Sequence, residues 1–68
     1  MGAQKIDINR ADAWLLEALP GIGNIKAQAI VDYRQENGPF QNANELTKVA
    51  GINAELYEEI KDLVTVAD

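Results

Sequence analysis

A chain of 68 residues is long enough for one modest core and too short for a two-lobed enzyme. Hydrophobic residues make up 47% and charged residues 25%, so the chain should fold, while the absence of Cys and His excludes a disulfide framework, thiolate or imidazole metal sites and the commonest nucleophile and base; no catalytic residue, metal or cofactor is expected. Six Lys and Arg against eleven Asp and Glu give a net charge of −5, which by itself speaks against nucleic acid as a partner.

The opening Met1-Gly2-Ala3-Gln4 has neither the basic nor the apolar region of a signal peptide, so residues 1–4 read as linker or cloning-derived residues ahead of a domain over 5–68. No apolar run approaches the ~18 residues of a membrane span, so any signal or anchor is expected upstream of the chain. A first helix is predicted from Asn9 as N-cap, supported by Asp12, through Trp14 and Leu15 to about Ala18, where Pro20 ends it. A second is predicted over about 24–37, with Ile22, Ile25, Ala29, Ile30 and Tyr33 along one face and Gly38-Pro39 as its stop. A third, short helix opens at Asn42 with Glu45 in the last slot of a capping box and turns Leu46 and Val49 inward. The fourth runs from Asn53 to about Leu63 and buries Leu56, Ile60 and Leu63, and no segment shows strand alternation.

Sliding the chain by thirty residues exposes an internal repeat: Leu16 falls on Leu46, Leu19 on Val49, Gly21 on Gly51, Ile22 on Ile52, Ile30 on Ile60 and Asp32 on Asp62. Each unit, about 9–37 and about 42–63, reads as helix, glycine hairpin, helix. Neither could bury its own apolar face, so the two should pack into one all-α core of four to five short helices.

The charge is uneven between the halves. Residues 1–38 carry Lys5, Arg10, Lys26 and Arg34 against five acids, while residues 39–68 carry two basic and six acidic groups. Only the first half is electrostatically plausible for phosphate. There Gly21 and Gly23 allow a turn with positive φ and remove Cβ atoms from the path of an anion, and a helix begins just after them with unpaired amides at its positive end. The cradle is assigned to Gly21, Ile22, Gly23, Ile25 and Lys26, the last adding a mobile charge. Beside this stands the plainer reading of a tight corner between two helices. Arg34 either reaches a neighbouring phosphate or pairs along its own helix face with Glu36 or another carboxylate. Trp14, Tyr33, Phe40 and Tyr57 sit at core spacings and read as packing, and Asp32 with Glu36 as a solvated face.

The run Leu19-Pro20-Gly21-Ile22-Gly23, followed after three residues by Ala27, resembles the hairpin of the helix-hairpin-helix family. The longer pattern, from Ile8-Asn9-Arg10-Ala11 through Tyr33-Arg34, Gly38-Pro39-Phe40, Glu45-Leu46 and Val49-Ala50-Gly51-Ile52 to Val64-Thr65-Val66, looks like the ComEA-type DNA-binding domains of bacterial competence proteins. That resemblance implies a tandem helix-hairpin-helix fold and non-enzymatic, sequence-independent binding of double-stranded DNA through its phosphates. It further implies a receptor for DNA uptake in transformation, displayed extracytoplasmically in the periplasm or on the cell membrane, with protein partners in the uptake apparatus and a membrane link only through a segment absent from this chain. The second hairpin departs from the pattern: Ala50 replaces proline, Asn53 replaces the second glycine, and Glu55, Glu58 and Glu59 crowd the next helix. Gly51, Asn53 and Ala54 are therefore expected to hold the first hairpin in place more than to touch DNA. Two other uses of the same double hairpin remain open, a protein-interaction module of PsbU type and an accessory DNA-positioning domain of a repair enzyme.

Overall fold

The structure, a computed structural model, describes residues 5–66; the expectation for residues 1–4 and the last two residues of the expected domain lie outside them. The two ends of the described chain meet. Ile6–Asp7 (β1) runs parallel to Val64–Thr65 (β2), Ile6 opposite Val64, and Ile8 N–H extends the pairing to the Thr65 carbonyl at 3.0 Å. Sequence reading expected no strand; a two-residue pairing is too short to show alternation, and the whole domain serves as the crossover that parallel strands require.

Between them lie Ala13–Leu16 (α1), Asn24–Asn37 (α2), a 3₁₀ helix Ala43–Lys48, Ala54–Ile60 (α3) and a 3₁₀ turn Lys61–Leu63. The fold is thus all-α apart from the closing pair. The second helix keeps its expected bounds, and Gly38 ends it at φ +87°, donating its N–H to the Arg34 carbonyl. The first is a single turn and starts later than expected. Asp12 occupies its N-cap, while Asn9 leaves helix capping altogether: its Oδ1 accepts from Phe40 N–H at 2.7 Å and its Nδ2 donates to the Phe40 carbonyl at 3.0 Å. One amide side chain thereby pairs both backbone groups of a residue 31 positions away, a tertiary bond that outcompetes a local cap.

The capping box at Asn42 and Glu45 does not form either. Asn42 makes no side-chain cap bond, and the segment winds as a tighter 3₁₀ helix, stretched between buried Phe40 and buried Val49. The last helix does open at Asn53, whose side chain accepts from Leu56 N–H at 2.8 Å, but its α geometry ends at Ile60.

Ile8, Leu16, Ile30, Leu46 and Ile60 are the largest fully enclosed side chains, and four of the five are repeat partners. Leu19, Ile22, Val49 and Ile52 complete the seam between the units. Tyr33 stacks on Phe40 at 5.3 Å between ring centroids, as packing residues do. Three expected core residues are outside: Trp14 is 71% exposed, Ile25 82% and Leu63 39%. Trp14 and Ile25 are each the second residue of their helix and Leu63 lies where the helix has already given way to a 3₁₀ turn, so the spacing of a longer regular helix does not direct them inward.

Candidate functional site

Both hairpins are built from the same bonds. In the first, Leu19 N–H donates to the Leu16 carbonyl and Ile22 N–H to the Leu19 carbonyl, each at 3.1 Å; in the second, Val49 N–H donates to Leu46 at 3.0 Å and Ile52 N–H to Val49 at 3.1 Å. Gly21 at φ +78° and Gly51 at φ +89° make the left-handed step that only glycine takes without strain. The next cap residues, Gly23 and Asn53, are both extended, at φ −89° and −99°. Gly23 therefore does not supply the positive φ expected of it. A Cβ there would meet nothing within 4 Å, so what the glycine contributes is an uncovered helix start.

At that start, the N–H groups of Gly21, Gly23, Asn24, Ile25 and Lys26 have no acceptor among the described residues, and α2 has no acid in its first turn. Gly21, Gly23, Ile25 and Lys26 are brought together as the sequence suggested. Ile22 leaves the set, because its amide is spent on Leu19 and its side chain is buried. In the second hairpin the Asn53 side chain takes the Leu56 N–H, and Glu55 stands in the first turn. One hairpin presents a helix end with neither a side-chain cap nor an acid; the other has one amide capped by Asn53 and a carboxylate in its first turn.

Contacts between the hairpins follow the repeat. A Cβ on Gly51 would stand 3.4 Å from Lys26 Cγ and 3.5 Å from its Cε, so the half-buried lysine stem lies across the second hairpin. Thirty residues further, Leu56 lies across Gly21, where a Cβ would fall 2.7 Å from Leu56 Cδ1. Sequence reading singles out Lys26 and puts Leu56 on a buried stripe, but not against Gly21, although the same thirty-residue slide aligns the two. The repeat thus packs reciprocally, with a cation on one side and an aliphatic group on the other.

The other candidates are placed differently. Arg34 neither stands free nor pairs with Glu36: its Nη1 donates to the Ile8 carbonyl at 2.9 Å, tying the end of α2 to the start of the chain. Asp32 accepts from Gln28 Nε2 at 3.0 Å on an exposed helix face. Among the cations of the second half, Lys61 bonds Glu58 at 2.7 Å, and this hydrogen bond, then the carboxylate charge, holds its pKa above the ordinary lysine value. Among the described residues no cluster of three or more His, Cys, Asp or Glu could hold a metal.

This architecture coincides with what related sequences show. The chain is 44% identical over 61 residues to ComE operon protein 1 of Bacillus subtilis, covering 90% of this chain and 30% of that protein. It is 41% identical over 63 residues to an uncharacterized protein of Haemophilus influenzae, covering 91% of this chain and 56% of the other. It is 37% identical over 60 residues to mouse endonuclease/exonuclease/phosphatase family domain-containing protein 1, covering 88% of this chain and 10% of that protein. The chain spans under a third of the Bacillus protein and about half of the Haemophilus one. The family model described as the helix-hairpin-helix motif matches residues 2–65, and with both hairpins formed as above the chain belongs to the helix-hairpin-helix family.

Proposed function

We propose that the first hairpin grips double-stranded DNA by its backbone phosphates, without sequence preference, in a non-catalytic module. The observation that carries this reading is the start of α2, where the amides of Gly23, Ile25 and Lys26 are left open with no side-chain cap and no acid in the turn; Lys26, whose stem crosses Gly51, adds the one cation of that turn. Such a site offers N–H dipoles and one point charge to an oxyanion and nothing that reads a base edge. Binding by an isolated domain of net charge −5 should be weak, with Kd on the order of 10⁻⁴ to 10⁻⁶ M at physiological salt. Gly51, Asn53 and Ala54 act mainly as the platform that holds Lys26, which gives the units at about 9–37 and 42–63 different duties in one domain.

Likeness to the competence-operon protein supports a ComEA-like role, capture of DNA for uptake in a bacterial cell by a protein displayed outside the cytoplasmic membrane. No helix among the described residues is long and apolar enough to cross a membrane, so a link to it would lie in another segment. A second reading is an accessory module that positions a larger enzyme on DNA. It is favoured by the recurrence of this domain as a tenth of the mouse protein.

Amide chemical shifts followed during titration with a short random-sequence duplex at low salt test the proposal. Shifts at Gly21, Gly23, Ile25 and Lys26 that reverse on adding salt are the expected result. Lys26→Glu should abolish them and a charge placed at Ala54 should leave most of the binding; equal losses would remove the asymmetry, and silence at millimolar DNA would remove the phosphate site.

A further inference from the structure

Away from the hairpins, a cleft of about 290 Å³ lies between the turn after β1, the last part of α2 and the following loop, lined by Asn9, Arg10, Arg34 and Pro39. Its walls are fixed by bonds already made. Asn9 spends both side-chain polar atoms on Phe40, and Arg34 is anchored through Nη1 to the Ile8 carbonyl, so neither has to be ordered by a ligand. A guanidinium has five N–H donors, and the bond to Ile8 uses one of Arg34's.

Arg10 is 72% exposed, and its Nε stands 3.6 Å from Asp7 Oδ2, too long for a strong hydrogen bond. The other Asp7 oxygen accepts the Asn9 N–H at 2.9 Å, which holds that carboxylate against the backbone. Two arginines therefore line the cleft, and the one carboxylate paired with either of them among the described residues is Asp7, loosely beside Arg10. Planar forks of this kind recognise oxyanions by paired hydrogen bonds, which a lysine ammonium does not reproduce.

We propose that this cleft is a second phosphate subsite, taking a phosphodiester of the same duplex that the first hairpin holds; the proposal rests on the DNA-binding reading above. Gly23 and Arg34 mark the two ends of this relationship. Eleven residues of helix separate them by about 16 Å along the axis and return to within about 20° of the same face. Duplex DNA carries a phosphate for about every 1.7 Å of its axis, counting both strands, so a backbone seated at Gly23 offers another charge within reach of long arginine side chains.

The test uses the 68-residue chain with Arg10→Ala and Arg10→Lys, changes at an exposed side chain whose ion pair with Asp7 is loose. Affinity for a short random duplex is measured between about 50 and 200 mM salt, and the amides of Asn9, Arg10 and Phe40 are followed beside those of Gly21, Gly23 and Lys26. Arg10→Ala should lose about threefold or more in affinity at the low end. Over the whole range the wild type should lose about 3.5-fold more affinity than Arg10→Ala, the equivalent of one neutralised phosphate. Arg10→Lys should keep the salt slope while binding more weakly than wild type. Hairpin shifts with a silent cleft and an unchanged slope would overturn the subsite and leave the hairpin function standing, whereas silence at both would overturn the two together. Cleft amides that move with an oligoglutamate peptide and not with DNA would also overturn it, and would mark the cleft as a surface for an acidic protein.

Discussion

Two hairpins with nearly the same backbone end in different chemistry: the second carries Glu55 where the first has Ile25, and two further positions set them apart. Where the first has Gly23 the second has Asn53, and where the first has Lys26 the second has Leu56. Asn53 satisfies one of its own helix's free N–H groups, while Gly23 has no side chain with which to do so. Leu56 rests on Gly21 and ends in a methyl; Lys26 rests on Gly51 and ends in an ammonium. Duplicating a small unit supplies a core that neither copy could build alone, and once the backbone is shared, one copy can give up a cap in favour of an anion site while the other serves the fold.

The comparison is hardest to break in the core, where the units should be equivalent. Ile30→Ala and Ile60→Ala each remove a fully enclosed side chain and should cost about 2–5 kcal/mol, a large part of the stability of a domain this small. Thermal or urea unfolding should give comparable losses in a single transition for the two; two separate transitions would mean that one unit folds without the other. The hairpin glycines come next. Gly21→Ala and Gly51→Ala both force a side chain into the left-handed region at about 1–2 kcal/mol. Gly21→Ala must also push Leu56 Cδ1 away from 2.7 Å, whereas Gly51→Ala only tightens against the Lys26 stem at 3.4 Å. The first should therefore be the less stable variant, and the second, whose Cβ meets the Lys26 stem at ordinary contact distance, should leave the lysine in place and lose no more DNA affinity than its stability explains.

How far the sequence could be read follows the same division. Contacts inside a unit were legible, since the helical spacing of Ile30 and Ile60, the stop at Gly38 and the cap at Asn53 are local signals. Where the tertiary structure overrides a local preference, the reading went astray. Asn9 looks like a cap and instead pairs with Phe40, and Trp14 was placed in the core by a helix that shrinks to one turn. Arg34 looked like a surface cation and is bonded to Ile8 from the far end of the chain. The residues of the first hairpin were identified from a local motif; that Lys26 crosses to Gly51 is a contact between units, visible beforehand only to someone who asks what the repeat places opposite what.

A gain of function sharpens the contrast further. Leu56→Lys should lay a second lysine stem over Gly21, as Lys26 lies over Gly51, at a cost of about 1 kcal/mol in stability for the lost apolar contact. It should steepen the logarithmic salt dependence of duplex binding by about 0.9, one more phosphate neutralised. No change in slope would show that the second hairpin is turned away from DNA whatever charge it carries.

The smallest effect in stability is the most informative about mechanism. Exchanging the caps, Gly23→Asn and Asn53→Gly, alters two extended positions that either residue can occupy without strain. Asparagine at position 23 would accept the Lys26 N–H as Asn53 accepts that of Leu56, and glycine at 53 would release the latter; each change should move stability by only a few tenths of a kcal/mol, in opposite directions. DNA binding should respond out of proportion. Gly23→Asn closes one donor of the cradle and sets a side-chain oxygen where a phosphate oxygen would sit, so affinity should drop about tenfold, in keeping with one charge-assisted hydrogen bond. Asn53→Gly should restore little, because Glu55 still faces the opened helix end, and Asn53→Gly with Glu55→Lys should restore more. If Gly23→Asn binds duplex as the wild type does, the open amides of the first hairpin are not what holds the phosphate, and Lys26 would have to carry the interaction alone.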